Sequence, residues 1–177
     1  VKTNSKYKEI LFLPLSHSFG LGRLKSMVLT GNSLIILEDT SNYAKFLLYI
    51  KQYKANGFAI VPSSLEIIKK IDSKYISKFK SFLKFIELGS ERINSFTINW
   101  LLQMLPKTKI YHHYGMTEAS RTLFIRYNKR NILKKNFIGK ESAYSKINIL
   151  DKNLKECKTN NIGQITIKGP CVMKDYL

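Results

Sequence analysis

Short apolar runs alternate with segments of helical period along most of the chain. "EILFLPL" (residues 9–15) is a continuous apolar run closed by a proline, the pattern of a buried strand. "HSFGLGRLKSMVLTG" follows with helical spacing and ends at Gly31, a residue suited to a helix C-terminal stop. "SLIILE" (33–38) predicts a second strand, and residues 39–42 offer capping side chains for a helix around "YAKFLLYIKQYKANG". "FAIVP" (58–62) and "FLKFIELG" (82–89) read as further strands, each followed by a helical segment, "SSLEIIKKI" and "SFTINWLLQML". Ser63 and Ser64 with Glu66 behind them have the form of a helix start. "KTKIYHHYG" (107–115) supplies one more strand. Strand and helix alternating in this way predict βαβ units: an α/β fold with a mostly parallel sheet and flanking helices.

After about Tyr127 the pattern changes. "AYSKINILD", "IGQITIKG" and "CVMKDYL" are short alternating segments separated by Asn, Asp and Gly, which predicts a smaller antiparallel, barrel-like β part. The expected division is an α/β subdomain over 1–127 and a partial β subdomain over 128–177, parting between Tyr127 and Asn136.

The composition narrows the classes. A chain of 177 residues with 44% hydrophobic residues can bury a real core, so global disorder is excluded. No apolar run is long enough for a transmembrane segment, and two cysteines are too few for a disulfide framework, so a cytoplasmic setting is expected. The formal charge of +18 invites a nucleic-acid reading. The lysines are scattered, however ("KYK", "KQYK", "KFKSFLK", "NKRNILKK"), where a phosphate-tracking surface would gather them, and no nucleic-acid partner is expected.

In parallel α/β sheets, ligands sit beyond the carboxyl ends of the strands. Three polar or glycine-rich junctions have that position: "PLSHSFGLG", "ELGSE" and "HHYGMTEAS". In "ELGSE", Gly89 permits close approach while Ser90 offers hydrogen bonds; the plainer reading is a turn with Ser90 or Asn94 as a helix cap. In "YGMTE", Tyr114 gives a flat face, Thr117 a hydroxyl for a phosphoryl oxygen, and Glu118 a carboxylate of the kind Mg²⁺ accepts. The plainer reading is a turn in which Thr117 caps a short helix. The G-x-G of "FGLG" fails the dinucleotide fingerprint, and His17 alone reads most simply as a capping or core histidine. His112 and His113 are adjacent on a predicted strand and must face opposite ways, which excludes a shared metal. Trp100, Leu101 and Met104 read as helix core, and Cys157 and Cys171 as inert.

Taken in order, these segments resemble the adenylate-forming superfamily of acyl-CoA synthetases, peptide-synthetase adenylation domains and luciferases. "LPLSHSFGLG" resembles its proline–histidine–glycine segment, "VPSSLEII" its valine–proline helix start, "ELGSE" its adenine-binding turn and "YGMTEAS" its Tyr-Gly-x-Thr-Glu signature. "IGK" (138–140) and "GQITIKGPCVMKDY" resemble the segments that follow. The resemblance implies an AMP-forming acid–thiol ligase, closer to acyl-CoA or acyl-carrier ligases than to amino-acid activators. It would use ATP and Mg²⁺ to form an acyl-adenylate from a small-molecule carboxylate. The acceptor would be CoA or the phosphopantetheine of an acyl-carrier protein. By the same resemblance Thr117 would contact the α-phosphate and Glu118 would hold Mg²⁺. Gly89, Ser90, Glu91, His112, His113, Tyr114, Gly115 and Met116 would frame the nucleotide, with His17, Phe19, Gly20 and Gly115 bordering the acyl pocket. The chain departs from the family pattern in carrying no Ser/Thr/Gly-rich phosphate loop, ribose-binding aspartate, hinge or lysine-bearing C-terminal domain. Gln164 stands for a glutamate and Asp175 for a glycine. The expectation is an internal piece of the large N-terminal domain, inactive alone. The alternatives are a non-catalytic remnant that binds nucleotide or acts as a scaffold, and a basic nucleic-acid-binding domain.

Overall fold

The computed structural model describes residues 7–128 and 137–176. In chain order it contains β1 (Lys8–Leu11), α1 (Ser18–Thr30), β2 (Ser33–Ile36), α2 (Tyr43–Tyr53), β3 (Gly57–Ile60) and α3 (Pro62–Ile71). A 3₁₀ turn at Tyr75–Phe79 precedes β4 (Phe85–Leu88), α4 (Ser95–Met104) and β5 (Lys109–Tyr114). The first five strands run parallel in the order β2-β1-β3-β4-β5. β6 (Leu123–Tyr127) returns antiparallel to β5, and β7 (Lys140–Glu141) pairs with β6 to complete a seven-stranded sheet. β8 (Lys146–Leu150) and β9 (Gln164–Lys168) form a separate antiparallel pair. The mostly parallel α/β body and the smaller antiparallel part are both as expected. The expected divide between Tyr127 and Asn136 lies for the most part outside the described residues.

The helix ends follow from local chemistry. Gly31 adopts φ 64°, and its amide reaches back to the last carbonyls of α1, as a left-handed C-terminal stop requires. Lys54 closes α2 in the same conformation, φ 48°. Asn42 caps α2 by accepting from the Lys45 amide at 2.9 Å, and Asn94 caps α4 by accepting from the Thr97 amide at 2.8 Å. α3 begins instead with Pro62, whose fixed φ suits a first helical turn. Glu66 makes no cap there: it crosses to α4 and accepts from the Asn94 side-chain Nδ2 and the Thr97 hydroxyl.

Two elements differ from expectation. β6 follows the signature turn, where no strand was anticipated, and its apolar Leu123 and Ile125 are buried. "CVMKDYL" forms no ladder among the described residues. It meets the body through a bridge of Val172 with Ala119, the Met173 amide donating to the Glu118 carbonyl at 2.8 Å, and the Tyr176 hydroxyl donating to the Glu118 carboxylate.

Strand alternation divides the core between the two faces of the sheet. Ile10, Phe58, Ile60, Ile86 and Ile110 meet α2, α3 and α4 through Phe46, Ile50, Leu65, Ile68 and Leu101, all fully buried. On the opposite face, α1 contributes Phe19 to a smaller cluster with Leu11, Leu13 and Ala59. Among the described residues no helix is long and apolar enough to cross a membrane.

Candidate functional site

A cleft of about 910 Å³ opens where β4 and β5 end. It lies in the size range of small-molecule sites and at the strand ends where parallel sheets bind ligands. Ser90, Glu91, His112, His113, Tyr114 and Gly115 all line it, so the two predicted turns meet in one place. Tyr127 of β6 and Phe137 and Ile138 add apolar wall.

The first turn is shaped by Ser90, which takes φ 71° although it is not glycine. That conformation aims the Glu91 carbonyl at His112 Nε2, 2.9 Å away. A carbonyl only accepts, so Nε2 carries the ring proton and Nδ1 accepts from the Tyr127 hydroxyl at 3.1 Å. Burial pushes His112 below its ordinary value, against the pull of the Glu91 carbonyl, so the ring is neutral near pH 7. The Glu91 side chain turns away from the cleft and binds the start of α3, accepting from the Ser63 amide at 2.8 Å and the Ser63 hydroxyl at 2.9 Å.

The second turn, residues 115–121, is closed by the Met116 amide donating to the Ala119 carbonyl at 3.0 Å and its reciprocal at 3.2 Å. Met116, Thr117 and Glu118 follow Gly115 on this turn and are not among the residues that line the cleft; among the described residues the Thr117 hydroxyl makes no hydrogen bond. The Glu118 carboxylate accepts from the Tyr176 hydroxyl, which holds it below its ordinary value.

His113 faces the other way. Its ring packs edge-on against Phe19 with centroids 4.5 Å apart, and a Cβ on Gly89 would lie 2.3 Å from its Cε1. Gly89 is therefore needed beneath an imidazole of the protein itself. Gly20 serves α1 packing, since a Cβ there would strike the Pro14 carbonyl at 2.2 Å. His17 is exposed at the start of α1 and makes no side-chain cap. Of the three residues expected at an acyl pocket on α1, only Phe19 approaches the cleft wall, through His113.

Sequence reasoning missed the charges behind this wall. Arg23 of α1 donates to Glu9 Oε1 at 2.8 Å, to Glu9 Oε2, and to Glu87 Oε2 at 2.7 Å. Arg121 donates from Nε to Glu87 Oε1 at 2.9 Å and from Nη2 to the Phe19 carbonyl at 3.2 Å. His113 Nδ1 lies 3.1 Å from Glu87 Oε1, at ion-pair distance but outside hydrogen-bond alignment. Burial works against the Glu87 charge, but His113, Arg23 and Arg121 outweigh it and hold the carboxyl well below its usual range. Burial pushes Glu9 upward against the pull of Arg23. Arg23 stays charged because Glu87 and Glu9 overcome its desolvation. The signal for this cluster was present in the sequence: Glu9 heads one apolar strand run and Glu87 interrupts another, and a carboxylate buried there must have a partner.

A family model for AMP-binding enzymes matches residues 2–177. 4-Coumarate–CoA ligase-like 6 of Arabidopsis thaliana is 28% identical over 167 residues, covering 93% of this chain and 29% of that protein. The chain thus spans under a third of the length of this relative. Among solved structures, O-succinylbenzoate coenzyme A synthetase (MenE) from Bacillus subtilis, in complex with ATP and magnesium ion, superposes with a TM-score of 0.83 at 21% identity. That superposition covers 99% of this chain and 35% of the other. PA1221, an NRPS protein containing adenylation and PCP domains, gives a TM-score of 0.87 at 16% identity, covering 99% and 31%. Both share the fold. With the family model matching nearly end to end, the chain belongs to the AMP-binding enzyme family.

Proposed function

We propose that this chain builds the nucleotide wall of a carboxylate-activating ligase. A carboxylate oxygen attacks the α-phosphorus of ATP, the bond to the β-phosphate breaks, and pyrophosphate leaves behind an acyl-adenylate. A thiol of CoA or of carrier-protein phosphopantetheine then attacks the acyl carbonyl and AMP departs. The observation that carries this reading is the cleft at the strand ends of a chain of this family, lined by Ser90 and Glu91 of the first turn and by Gly115, where the second begins. The names of the Arabidopsis relative and of PA1221 support the two thiol acceptors.

In this reading Tyr114 and the Ser90–Glu91 backbone frame the adenine. His112 shapes the wall, since both its nitrogens are already engaged. The Thr117 hydroxyl donates to an α-phosphate oxygen. The Glu118 carboxylate fits Mg²⁺ because the Tyr176 bond keeps it ionised and engages only Oε1. No group of three or more His, Cys, Asp or Glu stands near enough for a protein cage among the described residues, which suits a cation that keeps waters and substrate phosphates. Bound there, Mg²⁺ would neutralise phosphate charge as two anions meet. A cytoplasmic setting fits the unpaired Cys157 and Cys171.

The test is carboxylate-dependent exchange of pyrophosphate into ATP by the protein encoded by the complete reading frame. Fatty, aromatic and amino acids serve as candidate substrates. Glu118→Gln should depress exchange strongly, and an unchanged rate would remove that assignment. Thr117→Ala should weaken transition-state binding by ~1.5–3 kcal/mol, the range for a charge-assisted hydrogen bond. AMP binding without exchange on any carboxylate would favour the non-catalytic reading.

A further inference from the structure

On its outer side the turn that bears Thr117 and Glu118 meets the C-terminal segment: Ala119 bridges Val172, and Glu118 accepts from the Met173 amide and the Tyr176 hydroxyl. Met116 and Ala119 close the turn by backbone bonds, and Thr117 is exposed with no hydroxyl partner among the described residues. The C-terminal end of the turn is different. Arg121 takes φ 54°, a left-handed conformation that a non-glycine residue holds only when its surroundings impose it. Those surroundings come from two elements, β4 and α1. Glu87 on β4 accepts from its Nε, the Phe19 carbonyl on α1 accepts from its Nη2, and its Nη1 lies over Gly22, where a Cβ would sit 2.2 Å away. Its own backbone nitrogen lies 2.4 Å from where a Gly115 Cβ would be, so the two ends of the turn are in close contact.

We propose that Arg121 is a positioning residue for the Thr117–Glu118 turn, fixed from behind the sheet by Glu87, the Phe19 carbonyl and the Gly22 notch. The guanidinium fork meets acceptors on two elements at once, which a single-point cation does not do. It transfers the rigidity of a buried ion cluster to the surface turn that bears Thr117 and Glu118. The catalytic consequence rests on the function proposed above; the mechanical one does not.

Two measurements on the protein encoded by the complete reading frame test this. In Arg121→Gln, hydrogen exchange of the Met116 and Ala119 amides, the two that close the turn, should rise about tenfold or more, while amides of β1, β3 and β8 keep the parent protection. Carboxylate-dependent ATP–pyrophosphate exchange should lose about ten- to a hundredfold in kcat, with KM for ATP changed much less. Arg121→Lys should restore part of both. Gly22→Ala, which pushes on Nη1 without removing charge, should give a smaller version of the same local pattern. It keeps the test open if Arg121→Gln does not fold, and it should add nothing in the Arg121→Gln background. Unchanged turn amides, or a uniform rise across all amides, would overturn the positioning role. A parent protein with no exchange activity would count against the proposed function, leaving the amide pattern to decide this one.

Discussion

His112 and His113 are neighbours on β5, and the strand pleat sends them to opposite faces of the sheet. On the cleft side His112 is neutral, held between a backbone carbonyl and a tyrosine hydroxyl. On the α1 side His113 lies against Phe19 and Glu87, within a cluster of two carboxylates and two guanidiniums. One face thus offers rings and carbonyls, and the other a compact set of buried charges. The contrast shows how a shallow site stays defined. Electrostatic contacts are strongest where water is excluded, so the firm positioning sits behind the wall. The wall itself keeps groups that can exchange protein partners for a ligand.

The widest break of this contrast would come at Glu87. It bonds both guanidiniums and faces His113, so Glu87→Gln should cost about 3–5 kcal/mol in chemical denaturation, the range for uncompensating a buried pair. Glu9→Gln should cost less, since Glu9 bonds only Arg23, which keeps Glu87. Equal losses would mean that Glu87 is not the hub. The two carboxyls also respond to acid with opposite sign. The Glu87 value is lowered on folding, so its contribution is present above its ordinary 4.5 and lost as pH falls below it. The Glu9 value is raised, so its share is greatest below 4.5 and shrinks as pH rises above it.

Gly89→Ala comes next, because it joins the two faces. The added Cβ would meet His113 Cε1 at 2.3 Å, and overpacking of this kind costs about 1–3 kcal/mol by calorimetry or denaturation. His112→Phe should be milder: the Glu91 carbonyl and Tyr127 hydroxyl lose a partner in a cleft open to water, about 1 kcal/mol. Its clearer readout is weaker AMP binding by titration calorimetry with an almost unchanged melting temperature. The smallest effect is the pH response of His112 itself. Folding lowers its value from the ordinary 6.5, so below that point the unfolded chain binds more protons and stability declines. Above 6.5 this histidine contributes no slope. An imidazole titration by NMR should place His112 under 6.5, and a value above it would reverse the assignment of a neutral cleft face.

Much of the body was legible because its signals are local. Apolar runs and helical spacing located the first five strands and four helices, and Gly31 and Asn94 occupy the stop and cap that their chemistry suggests. β6 was not legible: it is a strand by virtue of pairing with β5 after a turn whose residues, Thr117 to Arg121, carry chemistry of their own. The helix start around Ser63 was legible, but not the role of Glu66, because only packing brings Asn94 and Thr97 to it. Gly89 was legible as a place of close approach, but the ring that fills it comes from β5.

The sequence by itself determined the alternation of strands and helices, the opposite facing of His112 and His113, and the grouping of three polar junctions at strand ends. These follow from periods of two and 3.6 residues and from turn chemistry, which neighbouring residues decide among themselves. Only the tertiary structure decided the strand order β2-β1-β3-β4-β5, the meeting of two turns in one cleft, and the cluster of Glu9, Arg23, Glu87 and Arg121. Those partners lie far apart along the chain. A buried charge demands a partner without specifying which one, and the choice is made when the sheet and α1 exclude water around them.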